Sequence, residues 1–137
     1  MKVEYFDLRG KRALVSGGAS GIGSSIVEHL CEQGVEVYFF DINKNEAKKT
    51  INKIKKNKLK IPTFVECNIK NIKKYKSSIL NIIKKQGPID ILVNNASNDQ
   101  RHSLEKITEK YWDDRMAINL KHYLFAIQAV KKSMIKN

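Results

Sequence analysis

Cysteine is scarce in this sequence: Cys31 and Cys67 are its two thiols, too far apart for the paired spacing of a zinc site or a redox motif. Both are expected as buried, reduced side chains. Proline is as scarce, with Pro62 and Pro88 alone, and no stretch reads as a low-complexity linker. Long apolar runs are missing too. None approaches the roughly 20 residues that a membrane span needs, and Met1 to Arg12 lacks the apolar centre of a signal peptide. The chain therefore reads as cytoplasmic and free of membrane partners. Nor is there a His/Cys/Asp/Glu spacing that calls for a metal.

Acidic residues are few, 14 against 26 lysines and arginines, for a net charge of +12. Such an excess invites a nucleic-acid reading, because basic faces release counterions when they meet phosphates. Its composition argues against one. The excess is almost all lysine, whereas arginine and stacking aromatics dominate phosphate and base contacts. The densest stretch, Lys44 to Lys60, carries Ala47, Ile51 and Ile54 at helical spacing, so its lysines fall on the wet face of an amphipathic helix. No nucleic-acid partner is expected.

What is present suffices for a single domain, residues 1–137: 42% of the residues are hydrophobic, in runs at regular intervals. Arg12 to Ser16 is a short apolar strand that runs into a glycine-rich turn. A helix follows from Ile22, with Ile26, Val27, Leu30 and Cys31 on one side and Gly34 as its stop. Val35 to Phe40 is a second strand ending on Asp41. After the lysine-bearing helix, Ile61 to Cys67 gives a third strand, with Pro62 near its start. Ile72, Tyr75, Ile79, Leu80 and Ile83 trace a helix closed by Gly87 and Pro88, and Ile89 to Val93 is strand four. Trp112, Met116, Leu120, Leu124, Ile127, Val130 and Met134 then share one face of a long helix that runs almost to Asn137. Strands alternating with helices imply a parallel sheet covered on both faces, a doubly wound α/β fold. In the Rossmann order 3-2-1-4 the fourth strand lies at an open edge, the sheet being truncated after it and its following helix.

The turn Ser16-Gly17-Gly18-Ala19-Ser20-Gly21-Ile22-Gly23 stands between a strand and a helix, where a dinucleotide site needs it. Glycine allows close approach to a pyrophosphate, which the N–H groups at the helix start would hold. Asp41, 24 residues after Gly17, ends the next strand near the offset of a ribose-binding carboxylate. Against a 2′-phosphate at about 4 Å it would meet a repulsion of about 4 kcal/mol per unit charge pair, so NAD is expected over NADP. Lys44 is the nearest cation that could soften this.

These residues resemble the classical short-chain dehydrogenase/reductase family. Ser16-Gly17-x-x-x-Gly21-Ile22-Gly23 is similar to its Thr-Gly-x-x-x-Gly-Ile-Gly signature, Asn94-Asn95-Ala96-Ser97 to its Asn-Asn-Ala-Gly, and Trp112 through Asn119-Leu120 to the helix bearing its functional asparagine. The resemblance implies that Gly17, Ser20, Gly21, Ile22 and Gly23 cradle the pyrophosphate of NAD and that Asp41 holds the adenosine ribose. Asn68 and Ile69 would flank the adenine, Asn95 would lie near the nicotinamide, and Asn119 would help organise a proton-relay water. The segment Asn94 to Val130 is similar to NAD-dependent sugar dehydrogenases of the xylose 1-dehydrogenase type, which places the loop Asn98 to His102 beside a substrate mouth. His102 itself reads as structural. A sugar or secondary alcohol is the implied substrate, and a homo-oligomer the implied assembly.

Two departures matter. Ser97 stands where the family has glycine, and is expected to perturb the backbone beside the cofactor. The family's Ser and its Tyr-x-x-x-Lys, the acid/base pair of its reaction, are absent: Arg9, Ile42, Ile79, Arg115 and Ile127 follow Tyr5, Tyr38, Tyr75, Tyr111 and Tyr123 at the lysine position. The sequence thus reads as the N-terminal, nucleotide-binding half of an oxidoreductase on CH–OH groups, inactive alone. The alternative is a non-catalytic nucleotide-binding remnant or interaction protein. An open sheet edge and a partly covered final helix predict poor solubility or self-association.

Overall fold

A computed structural model describes residues 3–135. Four strands, β1 (Arg12–Ser16), β2 (Glu36–Asp41), β3 (Thr63–Glu66) and β4 (Ile91–Asn94), form one parallel sheet in the order β3-β2-β1-β4. This is the expected doubly wound topology. Helices α1 (Gly21–Glu32), α2 (Lys44–Lys56), α3 (Ile72–Gln86), α4 (Glu109–Met116) and α5 (His122–Ile135) connect or follow the strands, with a π-helical segment, Ala117–Lys121, between the last two.

The continuous apolar runs of β1 and β2 exist because both sheet faces are covered, and alternation sends neighbours to opposite sides. Ala13, Val15, Val37 and Phe39 join Val27 and Cys31 of α1 and Ala47 and Ile54 of α2 in one cluster. Leu14, Tyr38 and Phe40 meet Tyr75 and Ile79 of α3 and Ala126 and Val130 of α5 in the other. Phe39 and Phe40 are fully buried on opposite faces, each worth about 3 kcal/mol in burial. Both cysteines are buried free thiols, as expected. The lysines of α2 lie on its exposed side, opposite Ala47, Thr50 and Ile54.

Three sequence expectations need correction. Strand three begins at Thr63 rather than Ile61, since Pro62 has no N–H to give a ladder. Strand four begins at Ile91 rather than Ile89. Ile89 is buried, but its N–H points to Ser133 Oγ at 3.5 Å instead of a strand.

The third correction concerns the final helix. Its apolar stripe is only partly covered, as expected: Trp112, Leu120 and Leu124 are all more than half exposed and Met116, Ile127 and Met134 are open as well, while Val130 is buried. His122, Ala126, Ala129 and Val130 are the buried residues of α5. Their 4-3-4 spacing, completed by Ser133, is itself a helical seam, and two alanines let α5 lie close on α3. The π-helical segment interrupts the continuous α-helical register assumed for the stripe. The expected continuation to Asn137 lies outside the described residues. No helix among them is long and apolar enough to cross a membrane.

Candidate functional site

The C-terminal ends of the strands open into a cleft of about 500 Å³. Its position is where the strand order reverses between β1 and β4, the usual ligand crevice of an open α/β sheet. Gly17, Ser20, Ile22 and Gly23 line it from the first turn, and Asp41, Asn68, Ile69 and Asn95 from the other strand ends.

Close packing dictates glycine at three places in that turn, Gly17, Gly18 (a Cβ there would meet Phe39 Cβ at 2.6 Å) and Gly23. A Cβ on Gly23 would stand 1.8 Å from the Gly17 carbonyl oxygen and 2.6 Å from Asn95 Nδ2, while one on Gly17, at φ +68°, would meet Ala96 Cα at 2.8 Å. Gly21 differs. It has φ +55° with no atom within 4 Å of where its Cβ would be, so the chain leaves open space at the start of α1. The N-cap there, Ser20, makes no side-chain cap bond, whereas Asn43, Asn71 and Thr108 cap α2, α3 and α4. The first N–H groups of α1 thus have no side-chain acceptor and no acidic residue in the first turn. An uncapped helix start facing an open glycine cradle suits a pyrophosphate.

Asp41 is fixed by three backbone donors. Its Oδ1 accepts from Ile42 N–H at 2.8 Å and Asn43 N–H at 3.0 Å, and its Oδ2 from Ala19 N–H at 3.0 Å. An ionised carboxylate has about four acceptor sites, so one remains toward the cleft. Thr50 Oγ1 adds a bond to the Ala19 carbonyl at 2.8 Å, holding the turn against α2. Lys44 does not reach Asp41's charge: its ammonium pairs with Glu66 at 2.9 Å.

Where the adenine is expected, Asn68 is exposed and its Oδ1 accepts from Lys70 N–H at 3.0 Å, while Ile69 is buried against the Tyr75 cluster and gives the cleft an apolar floor. Asn95 spends its amide on structure: Nδ2 donates to the Ser16 and Gly17 carbonyls at 3.1 and 3.0 Å. Asn119 sits in the π-helical segment and does not line the cleft. Its Oδ1 accepts from Asn98 N–H at 2.8 Å and its Nδ2 donates to the Asn98 carbonyl at 3.0 Å, clamping the first residue of the loop Asn98 to His102.

Tyr111 holds the far end of that loop. Its hydroxyl donates to the Gln100 carbonyl, and its ring stacks on His102 with centroids 4.1 Å apart. Ser97 does not take a positive φ: Lys58 is the one non-glycine residue that does among the described residues.

Residues 11–137 match the family model described as short chain dehydrogenase. The chain belongs to that family. It is 38% identical over 132 residues to the D-xylose 1-dehydrogenase of Caulobacter vibrioides, covering 96% of this chain and 51% of that one. It is 34% identical over 132 residues to the gluconate 5-dehydrogenase of Gluconobacter oxydans, with the same coverage. Among solved structures, the aldohexose dehydrogenase of Thermoplasma acidophilum superposes with a TM-score of 0.82 at 30% identity, over 97% of this chain and 48% of that one. A blue fluorescent protein from a metagenomic library, in complex with NADPH, gives 0.83 at 29% identity over 93% and 52%. The chain spans about half the length of these relatives.

Members of the family bind NAD(P). The open Gly21, the uncapped α1 and the poised Asp41 fit such a dinucleotide. Two contributors escaped the sequence reading, the Ser16 hydroxyl and His122. They lie 106 positions apart, and Ser16 Oγ meets His122 Nε2 at 3.3 Å in the core. The only hint was local: His122 lies three residues after Asn119, on the same helical stretch.

Proposed function

We propose that this chain is the NAD-binding portion of an oxidoreductase that oxidises a CH–OH group of a sugar or secondary alcohol. The observation that carries the reading is Asp41, a carboxylate fixed by three N–H groups at the mouth of an open glycine cradle. Its remaining acceptor position suits a ribose hydroxyl and repels a 2′-phosphate, and Lys44 is turned to Glu66. When bound, the nicotinamide ring supplies hydride acceptance. The residues of this chain bind and orient. The α1 N-terminus takes the pyrophosphate, Ile69 supports the adenine, and Asn95 keeps the nicotinamide side of the cleft joined to the glycine turn. Asn119 positions the loop Asn98 to His102, where a sugar would enter.

No residue of the chain fills the family's Tyr-x-x-x-Lys pattern, which favours a second reading, nucleotide binding without turnover by this chain alone. Titration with NAD and NADP, followed by a hydride-transfer assay on D-xylose, tests both. NAD should bind at least about tenfold more tightly than NADP, and Asp41→Asn should narrow that ratio. Tighter NADP binding, or no binding of either nucleotide, defeats the cofactor reading. Turnover by the chain alone defeats the second.

A further inference from the structure

Ser16 ends β1 with a buried hydroxyl that has three polar neighbours. Its Oγ accepts N–H bonds from Asn95 at 3.0 Å and Ala96 at 3.1 Å, which fills both lone pairs of a hydroxyl. One proton remains to be placed. Of the polar atoms within 3.5 Å, the one left to take it is Nε2 of His122 at 3.3 Å, with the Tyr75 hydroxyl a further neighbour of Ser16.

We infer that His122 is a positioning residue for the nucleotide cleft: a neutral imidazole, protonated at Nδ1, whose Nε2 takes the Ser16 proton and leaves Ser16 as acceptor for the Asn95–Ala96 backbone. The inferred tautomer leaves its one unpaired N–H at Nδ1, whereas the opposite one would bring three donors onto the two lone pairs of Ser16. One of the two backbone bonds that tie the Asn95–Ala96 segment to the Ser16 hydroxyl would then be lost. That segment lines the cleft, and the Asn95 amide also binds the Gly17 carbonyl.

The surroundings of the ring agree. His122 has no exposure to solvent. From α3 the Tyr75 ring faces it with centroids 6.0 Å apart, and on its own helix Tyr123 meets it edge-on at 4.4 Å. Cys67 lies behind Tyr75. Burial pushes its pKa below the ordinary histidine value, opposed in smaller part by the Ile118 backbone. Asn119 and His122, three residues apart, therefore grip the same loop twice, Asn119 at Asn98 directly and His122 at Asn95 and Ala96 through Ser16.

The inference rests on the NAD reading for its consequence, but not for its geometry, and the test separates the two. Side-chain ¹⁵N–¹H correlation spectra of the labelled 137-residue chain should show His122 protonated at Nδ1 and bare at Nε2 near neutral pH. An Nε2–H tautomer overturns the inference whether or not NAD binds. His122→Phe keeps a ring without an acceptor. It should shift the amide resonances of Asn95 and Ala96 and weaken NAD binding about tenfold, the equivalent of one lost buried hydrogen bond. His122→Gln, whose Oε1 can stand near Nε2, should recover most of that loss. If His122→Phe binds NAD like the wild type, or if Gln and Phe lose affinity equally in step with their melting temperatures, His122 is packing alone. If the wild type binds no NAD, the cofactor reading fails, and the tautomer and amide shifts still decide this one.

Discussion

The two sides of β1 differ sharply. Toward β2 the sheet is closed: the four residues from Val37 to Phe40 are buried, and the glycine turn, Asp41 and Thr50 interlock at atomic contact. Toward β4 it is open. Every residue of β4 is only partly buried, its outer edge has no strand beside it among the described residues, and α5 carries Leu124 and Ile127 outward. The difference separates two tasks. The half proposed for phosphate and ribose is fixed by backbone groups packed around the turn and bonded to Asp41 and Thr50, whereas the half proposed for the nicotinamide is held by side-chain clamps, Ser16 with His122 and Asn119 with Asn98.

Substitutions should therefore act differently on the two sides. The largest effect is expected at Gly23→Ala. Its Cβ would overlap the Gly17 carbonyl, so the turn must move, costing about 3 kcal/mol in urea unfolding and abolishing nucleotide binding. Gly21→Ala sharpens the contrast. Its Cβ enters open space, so only the positive φ costs stability, about 1 kcal/mol, yet the methyl group would sit at the start of α1, whose N–H groups are proposed to take the pyrophosphate. Affinity should fall far more than stability, and equal losses at the two glycines would refute the cradle.

On the other side, Ala126→Leu should cost about 2 kcal/mol, because the fully buried Ala126 belongs to the cluster that seats α5 on α3. A neutral result in thermal unfolding would show that this seam is loose.

Acid should reach the two sides through different groups. At the base of β1 and β2 the Tyr38 hydroxyl donates to Glu36 at 2.6 Å and Arg12 adds an ion pair at 3.0 Å. The Tyr38 bond, with Arg12 assisting against burial, holds the Glu36 carboxyl below its ordinary value. Its folded pKa is thus depressed, so its contribution to stability is present above the ordinary glutamate range of about 4.3 and is lost as pH falls through the lowered folded value. His122 gives a loss of the same sign beginning higher, below its ordinary 6.5, because burial keeps the folded ring neutral. In urea unfolding across pH 3 to 7, Glu36→Gln should flatten the lower limb by less than about 1 kcal/mol and leave the upper one. A single limb unaffected by either group would contradict this division.

Much of the closed side was legible in the sequence because it is written in neighbouring residues. The apolar runs gave the strands and their order, and the glycine spacing, a helix and Asp41 located the cleft. The Tyr75, Ile79 and Ile83 pattern located α3. On the open side the partly covered apolar face was legible, but the seam that α5 buries was not. Large Leu, Trp and Met residues outlined a stripe on the last helix, but α5 buries histidine and alanine, since a close helix contact selects small residues and the π-helical segment breaks the α-helical register. Long-range pairings were invisible for another reason. Nothing near Ser16 in sequence announces a partner at His122, and nothing in Asn119 alone shows that its amide closes on Asn98.

The smallest expected effect bears on what that exposed stripe does. Leu124 is 55% exposed, so Leu124→Lys removes little buried area and should change the unfolding free energy by no more than about 0.5 kcal/mol. Leu120, on the same side, is equally exposed, and with Trp112 and Ile127 they make an apolar surface larger than scattered single residues would. If that surface drives self-association, sedimentation velocity should show Leu124→Lys shifting the chain toward monomer at a concentration where the wild type associates, with the melting temperature nearly unchanged. A loss of stability instead would place Leu124 in the fold's own packing, and the contrast between a closed and an open side would have to be redrawn at α5. Unchanged association would remove this face from the assembly and leave the free edge of β4 to account for it.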